Sequence, residues 1–150
     1  MHKNILRTLP VAAALLFAAC QSGTTGGNTD NAAVQDSLAI DSLSNSVMAV
    51  HDDAMTKMMV IRRLRTRVAE VSDSLGKAKA DTAAYHTAGV MLDSANSAMD
   101  GWMRAYDMEL TGKDNAQKKT YLSAEKSKID EVKTLMLKSI DDAKALLKEQ

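Results

Sequence analysis

The chain has 150 residues, 19 of them basic and 19 acidic, so it carries no net charge that would recruit nucleic acid or a polyanionic substrate. Its single cysteine excludes an internal disulfide, and with only 3% aromatic residues the core must be built mainly from Ala, Leu, Met, Ile and Val. Strands favour β-branched and aromatic side chains, whereas Ala, Leu, Met, Lys, Asp and Ser dominate here, so an all-α protein is expected.

Lys3 and Arg7 precede an apolar run, Val11 to Ala19, too short to cross a bilayer, and Phe17-Ala18-Ala19 leads into Cys20. This is the layout of a cleaved secretory signal. The small residues before the cysteine resemble the lipobox of bacterial lipoproteins, although Phe17 stands where that family usually has leucine. The resemblance implies cleavage before Cys20, acyl chains on Cys20, and a periplasm-facing position, by default on the outer membrane. Loss of residues 1–19 removes two of the 19 basic side chains and none of the 19 acidic ones, leaving 17 against 19. The remaining 131 residues suffice for one domain with a modest core. Residues 20–33 are expected to be the lipidated cysteine and a flexible tether, because QSGTTGGNTDN is small or polar throughout.

Residues 34–150 read as an elongated up-down-up antiparallel three-helix bundle with coiled-coil-like packing. A first helix is expected from Val34–Asp36 to Leu75, its apolar residues alternating mostly three and four apart from Ile40 through Val47, Ala54, Ile61 and Val68. Ser44-Asn45-Ser46 is a soft spot where it could break, and Gly76 a plausible C-terminal stop. A second helix is expected from Thr82 to Leu110, burying Tyr85, Ala88, Leu92, Ala95, Met99, Trp102 and Tyr106. Gly101 falls on its opposite side without an evident packing reason. Asp114 with Gln117 has capping-box form and opens a third helix to Lys148, burying Leu122, Ile129, Val132, Met136, Ile140, Ala143 and Leu147. Its other faces, including Lys133, mix charges and read as solvated, as does the arginine cluster RRLRTR at Arg62 to Arg67.

The segment HDDAMTKMM carries the most chemistry. On a helix, His51 lies about 20° from Met58 and about 40° from Met55, so all three share a direction. The second helix supplies AMDGWMRAY, with Met99 and Met103 beside Trp102. Imidazole with thioether suits Cu(I), and a His–Met pair is one way to hold a haem iron. Core packing is the reading these residues favour, because methionine is an ordinary filler of helical cores and no second histidine faces inward. A copper or haem site using His51, Met55, Met58, Met99 and Met103 is the alternative.

HDDAMTKMM followed by AMDGWMRAY resembles a group of small uncharacterised bacterial lipoproteins with HDExM-like and MxxWM segments, some labelled "viral A-type inclusion protein". Asp53 replaces a glutamate of that pattern and Thr56 a proline. The resemblance implies a helical lipoprotein and no particular activity. No nucleophile with a base, phosphate loop or carboxylate pair that could share a proton is legible, so a non-enzyme is expected. The expected role is structural or protein-binding: a membrane anchor through acylated Cys20, an envelope protein as partner and no nucleic acid.

Overall fold

The computed structural model describes residues 26–149, and within them the chain is all α-helical. Helix α1 spans Gly26–Met55, α2 Met58–Lys77, α3 Ala83–Ala105 and α4 Asn115–Leu147. The expected secretory signal, Cys20 and the first residues of the expected tether lie outside the described residues. Helices α1 and α2 are two halves of one bent helix, so the bundle has three members. Ion pairs Asp36–Lys119, Asp53–Lys133 and Arg63–Glu149 rise together along both segments, so the bent helix and α4 run in the same direction. Helix α3 returns between them, giving the up-down-up order. At about 1.5 Å per residue, the 33 residues of α4 make a rod of roughly 50 Å.

The first helix begins earlier than its apolar pattern suggests, at Gly26 rather than Val34–Asp36, so residues 26–33 are helical instead of tether. Once a packed segment nucleates a helix, each added residue contributes another backbone hydrogen bond without needing its own core contact. Residues Asn31 to Gln35 are accordingly helical yet exposed.

The break falls at residues 56–57, not at Ser44-Asn45-Ser46, which α1 passes through unbroken. The Thr56 hydroxyl donates to the Asp53 carbonyl at 2.6 Å, an oxygen that would otherwise take the Lys57 amide. The Lys57 amide turns instead to Ala54, at 2.9 Å, and the Thr56 amide reaches Asp52 only at 3.4 Å. A side chain inserted into the ladder in this way bends a helix.

Helix α2 continues past Gly76. Ala80 donates to Leu75 and Lys79 to Gly76, the two bonds of a Schellman motif, with Lys79 in the left-handed region at φ 53°. Helix α3 stops at Ala105, short of Leu110, because Tyr106 adopts extended backbone and Asp107 organises a turn. Asp107 Oδ1 accepts from the amides of Glu109 and Leu110, and its Oδ2 pairs with Lys113 at 2.6 Å. The capping box at Asp114 and Gln117 is present in both directions.

The heptad stripes supply the core. Val47, Ala54, Ile61, Leu64 and Val68 meet Leu92, Ala95 and Met99 of α3 and Leu122, Ile129, Met136 and Ala143 of α4, all buried. Besides Arg63, two more charges expected in solvent have tertiary roles. Lys133 ties α4 to Asp53 of α1, and Arg65 lies across Gly89 of α3 with its Nε 2.9 Å from both Asp93 oxygens.

Candidate functional site

Met48 and His51 stand one turn apart on α1 and therefore share a face. Trp102 and Met103 lie in the last turn of α3, and the chain then leaves through an extended Tyr106 into the Asp107 turn that carries Met108. These six residues line one cavity of about 210 Å³. The His51 and Trp102 ring centroids are 5.6 Å apart, Trp102 stacks on Tyr106 at 4.8 Å, and Tyr106 faces Tyr121 at 6.2 Å. Lys113 sits 5.0 Å from the Tyr121 ring centroid, so the column ends under a cation. The Tyr121 hydroxyl accepts from the Asp107 amide at 2.7 Å, fixing the turn that carries Met108. Burial raises the Tyr106 phenol above its ordinary pKa, with a hydrogen bond to Ser44 opposing the shift.

His51 is largely buried, and its Nδ1 lies 2.9 Å from Asp52 Oδ1. A carboxylate only accepts hydrogen bonds, so in the neutral imidazole Nδ1 carries the proton and Nε2 keeps the free electron pair. Carboxylate on one ring nitrogen and a lone pair on the other is the arrangement of metal-ligating histidines.

The sequence-derived ligand set divides in the structure. His51 and Met103 line the cavity together. Met58 and Met99 are buried within the core and Met55 packs against it, and none of the three lines the cavity. Met48 and Met108, absent from the sequence-derived set, take their place. Met48 was legible as the residue one turn before His51. Met108 was not, because continuation of α3 through Leu110 would have carried it along a helix rather than around a turn. Small-molecule pockets ordinarily start near 300 Å³, so this volume suits an ion and not a haem macrocycle. Among the described residues no group of three or more His, Cys, Asp or Glu side chains could hold a metal, so any site here would depend on thioethers.

A second concavity, about 450 Å³, runs between α3 and α4 on the other side of Trp102. Ala98, Gly101 and Ala105 form its low wall, and nothing lies within 4 Å of where a Cβ on Gly101 would be. Glu125 is 3% exposed at its margin, with Oε1 2.7 Å from Lys128 Nζ, and this bond raises the Lys128 pKa. Spacing could have located Glu125, since it follows Leu122 by three and precedes Ile129 by four on the buried stripe. Trp102 borders both spaces, and its Nε1–H is buried without a hydrogen-bond partner.

Comparison with known proteins finds no matching family model, no similar curated protein and no similar solved structure.

Proposed function

We propose that the chain is a lipid-anchored helical-bundle protein of the bacterial envelope, held through acylated Cys20 and facing the periplasm from the outer membrane. Its role is structural or protein-binding, with an envelope protein as partner. The observation that carries this reading is the end of the secretory signal, Ala18-Ala19-Cys20, six residues ahead of the first turn of α1 at Gly26. An anchor there would hold the base of a stiff rod close to the lipid. No helix among the described residues is long and apolar enough to cross a membrane, which is compatible with an acyl anchor as the attachment. The arginines at 63, 65 and 67 are engaged in ion pairs with Glu149, Asp93 and Glu70.

Two or three acyl chains, at about 0.8 kcal/mol per buried methylene, would make membrane attachment effectively permanent. The test is radiolabelled palmitate incorporation and membrane fractionation of wild type and Cys20→Ala in a bacterial host. Wild type should be labelled and sediment with membranes until detergent is added, and Cys20→Ala should be unlabelled and lost from that fraction. Equal labelling and equal sedimentation of the two would overturn the anchor.

A further inference from the structure

We infer that Met48, His51, Met103 and Met108 form a binding site for Cu(I), with the face of Trp102 as its inner wall. These residues converge on one cavity from three separate places in the chain: a turn of α1, the end of α3 and the loop beyond it. Nothing in the heptad pattern demands that convergence. The buried stripes use other methionines, Met58, Met99 and Met136, as core filler. Met103 and Met108 are 37% and 73% exposed, so burial of their own apolar surface does not explain why thioethers occupy the cavity rim.

The donor set selects the ion. Thioether sulfur is a soft ligand that suits Cu(I), and neutral imidazole accompanies it well, whereas divalent oxygen-seeking cations need carboxylates or carbonyls. No carboxylate lines the cavity. Asp52, next to His51 in the chain, bonds Nδ1 of its ring and so orients the imidazole and keeps its Nε2 electron pair free. Trp102 adds an electron-rich ring beside the ligands, the side chain best able to stabilise a singly charged cation through its π face. Tyr106, which lines the same cavity and stacks on that indole at 4.8 Å, holds it in place. Binding is the transfer of a Cu(I) ion from a weaker ligand and involves no change of oxidation state.

The test is anaerobic titration of the full-length chain with Cu(I) supplied as its acetonitrile complex, against the chromophoric competitor bicinchoninate. Cys20→Ala is the background, so that no thiolate competes and the result does not depend on the lipid anchor. One Cu(I) should bind per chain, quenching the emission of Trp102, the only tryptophan, and X-ray absorption should show one nitrogen and two or three sulfur neighbours. His51→Ala, and the pair Met48→Leu with Met108→Leu, should each weaken binding at least tenfold. Met55→Leu and Met58→Leu should leave it unchanged. Leucine for methionine conserves volume, so the fold survives in these variants, and a thermal melt checks it. Absence of binding in competition with bicinchoninate would overturn the assignment. So would a Zn(II) affinity equal to that for Cu(I), or an equal loss on changing Met58 and Met108.

Discussion

The indole of Trp102 and the imidazole of His51 lie 5.6 Å apart and inclined by 32°, joining α3 to α1 although α1 packs chiefly on α4. Trp102 therefore belongs to three environments at once: the hydrophobic core, the methionine-lined cavity and the groove along α4.

Trp102 is 7% exposed, and its truncation to alanine should cost about 3 to 5 kcal/mol in urea denaturation. Trp102→Phe should cost clearly less, because it keeps an aromatic ring against Tyr106 and removes the unpaired buried N–H. Lys138→Ala, which removes only a surface pair with Asp142, is the control and should cost under about 0.5 kcal/mol. Equal midpoints for Trp102→Ala and Lys138→Ala would mean that the tertiary packing described for α3 is wrong.

Acid should loosen the contacts of α1 with α4 and the turn within the 106–114 loop. Hydrogen bonds from Lys119, Lys133 and Lys113 lower the pKa of Asp36, Asp53 and Asp107 respectively. A folded pKa below the unfolded one contributes stability that is complete above the unfolded value, about 3.9, and is lost as pH falls through the folded value. Asp53→Asn and Asp107→Asn should thus lower the urea midpoint at neutral pH. Their difference from wild type should shrink as the pH falls below about 4. A gap independent of pH would show that these carboxylates stabilise nothing by their charge.

Lys79 occupies a left-handed backbone position at the end of α2, where an L side chain costs roughly 1 kcal/mol and glycine costs nothing sterically. Lys79→Gly should raise the thermal midpoint. Gly112→Ala, at φ 74° in the loop before α4, should lower it for the converse reason. Differential scanning calorimetry of both variants decides the matter, and midpoints moving in the same direction would contradict it.

Gly101→Ala should stabilise the protein by up to about 1 kcal/mol, since glycine within a helix is costly and the added methyl meets nothing within 4 Å. Chemical denaturation measures the change. A loss of stability would imply that the α3–α4 groove is narrower than described.

The stripes of all three bundle helices and the capping box at Asp114 were legible from residue spacing, because periodicity and capping depend on neighbours within about a turn or two of the same chain. Val47, Leu92 and Ile129 could be assigned to the core without knowing what each would touch. The bend was not legible. It arises where the Thr56 hydroxyl outcompetes an amide for the Asp53 carbonyl, a local contest that composition does not rank against the soft run at Ser44-Asn45-Ser46. Gly76 looked like the helix stop, yet the left-handed residue is Lys79, three positions further on.

What the sequence by itself determined is the direction in which each side chain leaves its own helix, and hence that His51 and several methionines are near the inward face. Only the tertiary structure decided which methionines meet His51. Met55 and Met58 share its direction along the rod but point into the core or its edge, whereas Met103, near the end of α3, and Met108, carried round by the turn at Asp107, line one cavity with it. Angular position on one helix is set by the 3.6-residue repeat. The side chain that arrives opposite depends on how the neighbouring helix is rotated, how far it slides and where it stops, and these are properties of the packed bundle.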